Sequence, residues 1–292
     1  MNLATILATV SDALSGTSDS RSLSMPTLLA GRGLYYMLLL VGFSILVVPI
    51  IIVVAISFNP TEAQAFPPTG FSLRWYGEVL DSSFLRAFFT VSLPIALVVG
   101  LISTTLGIMG AYIIARRDLP FENEVMMYFL LPLVVPPAII GLALMLFFNF
   151  RVLSFVPPFA ELVLAHVVMT IPYTFLSSST ALYSLDTELE EAARNLGASK
   201  FQTFWKVTLP LIKSGVISGF LLAFILSFTD STIALFLTGG DTVTLPVAMF
   251  LFLQYDSSPL IAATATVQIL LVLVLVLVIG RLVGFKAVTA DI

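Results

Sequence analysis

Residues 191–210, EAARNLGASKFQTFWKVTLP, set a polar stretch punctuated by glycine and proline between two long apolar segments, 159–183 and 214–238. Its local chemistry specifies two short helices with a turn between them. Thr187 and Glu190 have capping-box spacing at the start of the first, Leu189, Ala192, Ala193 and Leu196 recur at helical intervals, and Gly197 supplies the terminating residue. Ser199 and Gln202 repeat the capping-box spacing at the start of the second. There Phe201, Phe204 and Trp205 form an apolar face, Lys200 and Lys206 point to water, and Pro210 marks the return to apolar chain. By helix physics alone such a pair fits an ordinary amphipathic loop on a membrane surface equally well.

The surrounding sequence defines the class. Of 292 residues, 59% are hydrophobic and 10% charged, and the mean hydropathy is +1.07, values outside the range of water-soluble domains. About 20 helical residues cross about 30 Å of hydrocarbon. Apolar runs of that order occur at 33–57, 87–115, 125–148, 159–183, 214–238 and 260–283. The expected fold is an all-α integral membrane protein with six transmembrane helices. Its parts are an N-terminal tail (1–32), a first span (33–57), an outer loop (58–86), a five-helix core (87–283) that contains the loop 184–213, and a C-terminal tail (284–292). The first residues lack a basic start followed by an apolar core, so they read as a tail rather than a cleaved signal peptide.

Orientation follows from the cations between the spans. With both termini cytoplasmic, the inner set is Arg21, Arg32, Arg116, Arg117, Arg194, Lys200, Lys206, Lys213, Arg281 and Lys286. Only Arg74, Arg86 and Arg151 lie outside, a ratio of ten to three that places the 191–210 loop in the cytoplasm. In the outer loop, SLRWYGEVL reads as a short helix at the bilayer interface. The formal charge of −4 and the absence of basic clusters give nucleic-acid binding no support. There is no cysteine and one histidine, His166, which leaves little material for a metal site; His166, among apolar neighbours, reads as a hydrogen-bonded interior residue.

Glu191-Ala192-Ala193, then Gly197, then Leu209-Pro210 resemble the EAA loop of permease subunits in binding-protein-dependent ABC importers: EAA, three residues, Gly, nine residues, Ile, one residue, Leu-Pro. Every spacing matches, and the one departure is Val207 at the Ile position. The resemblance extends over about 33–283 and is nearest to the polyamine-type permeases. It is also carried by SFNPTEAQAFPPTGFSLRWY (57–76), LPLVVPPAIIGLALMLF (131–147) and FILSFTDSTIALFLTGGDTVTLPVAMF (224–250). Permeases for iron, thiamine, phosphonates and opines share parts of the same pattern.

The resemblance implies that the loop docks on a separate ATPase subunit, with Glu191, Ala192, Ala193, Gly197, Leu209 and Pro210 as the coupling residues. The implied assembly has a second homologous permease subunit, two ATPase subunits and a periplasmic solute-binding protein in a bacterial inner membrane, and works by alternating access. The chain itself would bind no cofactor; ATP and Mg2+ would belong to the partner. In agreement, the sequence has no Gly-Lys dipeptide and so no phosphate-cradling P-loop, and no nucleophile–base constellation suggests an enzyme.

Two questions stay open at this level. A secondary transporter or channel would also fit six spans, but needs coupling-ion sites or a charged filter within the membrane, and Asp230 is nearly the only candidate. Asp230 lies 16 residues beyond Ser214, about 24 Å at 1.5 Å per residue, which puts it in the outer half of the fifth span. With Ser227 and Thr229 beside it, it is a candidate substrate-pathway group for a small cationic amine; the alternative is an interhelical bond or a pair with a partner subunit. Pro132, Pro136, Pro137 and Pro172 are read as gate elements or as packing kinks, and Gly100, Gly107, Gly110, Gly215 and Gly219 as sites of close helix approach.

Overall fold

The computed structural model of the chain describes residues 25–117, 119–150 and 155–283, so the expected tail segments 1–24 and 284–292, with Arg21 and Lys286, and also Arg151, lie outside the described residues. Among the described residues every regular element is helical. Two compact units divide after Ile52. The first carries most of helix α1 (Met25–Ile56), which starts ahead of the expected span. Its residues from Tyr35 to Ile51 are mostly large and apolar, as befits a membrane helix.

The second unit opens with the loop after α1. There α2 (Arg74–Asp81) buries Trp75 and Val79 against Ala263. The Trp75 indole donates to the Asn59 carbonyl at 2.6 Å, and Ser57 and Tyr76 share a 2.7 Å hydroxyl pair. The short helix read from SLRWYGEVL is therefore present, with Trp75 and Val79 packed inward and Leu80 exposed.

Helix α3 runs unbroken from Ser83 to Arg116. Its turn at Phe88–Ser92 widens to π geometry immediately before Leu93-Pro94. Proline has no N–H to give the carbonyl four residues back, so the turn there is wider. The same device recurs at Phe204–Thr208, before Leu209-Pro210.

Helix α3 packs with α6 (Pro158–Tyr183) and α9 (Lys213–Thr229) at the centre of the unit. Small residues permit the approach: a Cβ on Gly107 would sit 2.8 Å from the Phe175 backbone nitrogen, and one on Gly215 would sit 2.8 Å from the Ser177 carbonyl oxygen. Hydroxyls then bond across the seams. Ser103 pairs with Thr170 at 2.7 Å, Thr174 donates to the Ser103 carbonyl at 2.7 Å, and Ser177 donates to the Gly215 carbonyl at 2.7 Å. In an apolar surround these bonds satisfy groups that have no water to turn to.

The expected third span, 125–148, is two helices, α4 (Glu122–Val134) and α5 (Pro137–Phe148), bent by 102°. Val135 and Pro136 each precede a proline and are extended, with ψ of 126° and 133°, because proline's ring excludes the residue before it from the α region. After α6 come α7 (Thr187–Asn195) and α8 (Lys200–Leu211), the latter joined to α9 through a 74° bend at Ile212. The expected fifth span, 214–238, stops being helical at Asp230 and resumes as the short α10 (Ala234–Leu237).

A helix that the periodicity did not suggest, α11 (Leu245–Leu253), follows. Its first residue donates its backbone N–H to Ser92 Oγ at 2.7 Å. The last helix is α12 (Leu260–Val283). Among the described residues, four helices can cross a bilayer by length and hydropathy, or up to six if each bent pair counts as one span.

Candidate functional site

The loop between α6 and α9 has both helices that its sequence specifies, closed by recognisable caps. Asp186 is the N-cap of α7, its carboxylate accepting the Glu188 N–H at 3.0 Å. The capping box read from Thr187 and Glu190 is therefore not formed; the chain uses the residue one position earlier. Helix α7 ends in a Schellman turn: Gly197 has φ +91°, its N–H donates to the Arg194 carbonyl at 2.9 Å, and the Ala198 N–H reaches the Ala193 carbonyl at 3.1 Å. The second capping box is complete, with the Gln202 N–H on Ser199 Oγ at 3.2 Å and the Ser199 N–H on Gln202 Oε1 at 2.9 Å.

These caps fix what the loop presents. Glu191, Ala192 and Gly197 are exposed, and Ala193 is half-buried. Leu189 is 48% and Leu196 89% exposed, so the apolar stripe read from the sequence has no cover within the described residues. Phe201 and Trp205 are also exposed, their rings 6.0 Å apart, while Phe204 turns inward to meet the Tyr112 ring at 5.1 Å. Leu209 packs with the core cluster around Phe175, Leu182 and Ile212. Pro210 is exposed and lies two residues before the bend.

Glu190, which the sequence suggested only as a capping partner, is the buried acid of the loop. Its Oε2 accepts Arg116 Nε at 2.7 Å and its Oε1 accepts the Thr208 hydroxyl at 2.6 Å. The two charged side chains are 4% and 13% exposed. Arg116 also donates to the Leu182 carbonyl at 3.3 Å, and Arg194 Nε to the Glu190 carbonyl at 3.3 Å. Beside them lies a cavity of about 700 Å3 lined by Arg116, Arg117, Arg194, Lys200, Tyr112 and Phe201.

The second group of sequence-selected residues surrounds the break after α9. Asp230 ends the helix, and its Oδ2 accepts the N–H groups of Ile233 and Ala234 at 3.0 Å each. It lies 3.4 Å from His166 Nε2, and the other ring nitrogen of His166 shares a 2.8 Å bond with Ser227 Oγ. His166 is fully buried, as its apolar neighbours suggested. Asp230 and Ser227 are thus brought together, and Thr229 diverges: its hydroxyl bonds back to the Ile225 carbonyl at 2.8 Å. Thr229 lines a cavity of about 630 Å3 with Ser231, Gln268, Met249 and Phe250. Gln268, a polar residue in the middle of an apolar run, is the signal that sequence reading passed over.

Described residues that are helical in every regular element, with four to six candidate spans, helix breaks inside apolar segments and a capped loop presenting an uncovered motif, have the form of a transporter's membrane component. The chain belongs to the family described as binding-protein-dependent transport system inner membrane component, whose model matches residues 103–286; it is an ABC importer permease of the type I group. The putrescine transport system permease protein PotI of Escherichia coli strain K12 is 35% identical over 234 residues, covering 78% of this chain and 83% of that protein. The spermidine/putrescine transport system permease protein PotC of Haemophilus influenzae is 30% identical over 225 residues, covering 77% and 86%. The fold is shared with the crystal structure of a bacterial ABC transporter involved in the import of the acidic polysaccharide alginate, with a TM-score of 0.63 at 18% identity, covering 89% of this chain and 97% of that one.

Proposed function

We propose that the chain is the membrane-spanning subunit through which a small di- or polyamine enters the cell by ATP-driven alternating access. It would act with a second permease subunit, two ATPase subunits that hold ATP and Mg2+, and a periplasmic solute-binding protein. The observation that carries this reading is the uncovered face of α7, where Glu191 and Ala192, with Leu196 at the C-cap, stand out on a helix closed by the Asp186 N-cap and the Gly197 Schellman turn. A rigid, exposed apolar stripe with an acid beside it suits a groove on another subunit far better than water. The ten-to-three cation count supports placing this loop and both termini in the cytoplasm, and six crossings follow if α4 with α5 makes one span and α9 with α10 another.

The amine substrate is supported by the putrescine and spermidine/putrescine relatives and by the outer half of the chain. Asp241 and Asp256 follow Asp230 with no Lys or Arg between them. We assign Asp230, Ser227 and Thr229 to the substrate pathway: Thr229 at the open cavity, Asp230 supplying negative charge behind it, and Ser227 with His166 holding Asp230 in place. The test is copurification. An ATPase subunit should accompany the full chain from membranes and be lost when residues 187–208 are deleted; a deletion variant that retains it would remove the coupling role from this loop.

A further inference from the structure

Two acids sit side by side in the loop, and their surroundings divide their work. Glu191 is exposed, whereas Glu190 is buried with both carboxylate oxygens engaged, Oε2 by Arg116 Nε at 2.7 Å and Oε1 by the Thr208 hydroxyl at 2.6 Å. Arg116 is the last residue of α3. Thr208 closes the π turn that leads through Leu209-Pro210 into the 74° bend and α9. Glu190 therefore joins three elements distant in sequence at one point: α7, the inner end of the long helix α3, and the entry to the broken helix α9.

We infer that the Glu190–Arg116 pair is the link that carries displacement of α7 into α3, with Thr208 extending it to α9, so that Glu190 is a positioning residue for transport. This rests on the coupling role proposed for α7. Three features favour a transmitting link over a mere anchor. Helix α7 is short and joined to its neighbours by turns, so its position relative to α3 depends on side-chain contacts. Both Glu190 oxygens are committed to different elements, so α7 cannot shift without moving or breaking both. And a charged pair this dry yields abruptly rather than stretching, because each partner left alone is a buried, unpaired charge.

The experiment uses the whole importer complex reconstituted in proteoliposomes, with putrescine as substrate and ATP hydrolysis measured alongside uptake. Two variants are compared with the wild type: Glu190→Gln, and the double variant Glu190→Gln/Arg116→Met, which removes both charges and leaves no unpaired charge. The expected result is that amine imported per ATP hydrolysed falls about five- to tenfold in both. The double variant should lose no more than the single, since the two residues act as one unit. A ratio equal to wild type in either variant overturns the inference, and so does failure of both to assemble, which would make the pair structural only. If the wild-type complex itself imports no amine with ATP, the functional reading fails, independently of the link.

Discussion

His166 Nε2 lies 3.4 Å from Asp230 Oδ2 at the point where the fifth apolar segment stops being helical. The contact joins α6 to a helix break, and the same carboxylate oxygen caps the first turn beyond it through Ile233 and Ala234. Asp230 thus shapes the backbone in addition to any service to the solute, and two substitutions separate the roles. Asp230→Asn keeps an acceptor for the cap, whereas Asp230→Ala leaves two buried N–H groups without a partner at a cost of about 1–3 kcal/mol. Thermal unfolding of the purified complex should be near wild type for Asp230→Asn and clearly lowered for Asp230→Ala. Putrescine uptake should fall in both; wild-type uptake in Asp230→Asn would remove the charge from the transport role.

Gly197 holds φ +91° with nothing within 4 Å of a built Cβ. Strain, not space, therefore limits this position, and Gly197→Ala should cost about 1 kcal/mol in the Schellman turn. Gly197→Pro is forbidden that φ altogether. Uptake should fall modestly for alanine and severely for proline, with membrane expression of both retained. Wild-type uptake by both variants would show that the turn does not matter.

Gly107 behaves in the opposite way, because there the Thr174 hydroxyl and the backbone of Thr174 and Phe175 crowd the position. A side chain would press on Thr174 and Phe175 of α6, where neither helix has a flexible group to yield. Gly107→Leu should abolish recovery of the folded protein from mild detergent, measured by size-exclusion chromatography. Gly77→Leu, with open space around it, should be recovered normally.

The predicted orientation is testable because the chain has no cysteine. Lys200 and Ser257 are both exposed. In intact cells an impermeant thiol reagent should label Ser257→Cys and leave Lys200→Cys untouched until the cells are opened. The reverse pattern would invert the topology.

How far the sequence could be read depended on whether the deciding interaction was local. The Gly197 turn and the Ser199–Gln202 box are set by residues within a few positions of each other, and they are found where expected. The bend between α4 and α5 was half legible: Pro136-Pro137 announces a break, but hydropathy averaged along 125–148 carries no direction. Helix α11 was missed because its nine residues are apolar throughout, with no period and too little length to span. Glu190 was misread for another reason: Asp186 and Thr187 are both good N-caps, Asp186 is the one used, and the ion-pair partner Arg116 lies 74 positions away in the sequence.

On the proposed function, this chain moves an amine only as part of an ATP-driven assembly. The most direct measurement is accumulation of labelled putrescine in proteoliposomes that contain the purified complex, with ATP on the α7 side and the solute-binding protein on the other. The account predicts accumulation that requires ATP and is lost when the ATPase subunits are omitted. Accumulation by this chain and its permease partner alone, without ATPase or ATP, would contradict it.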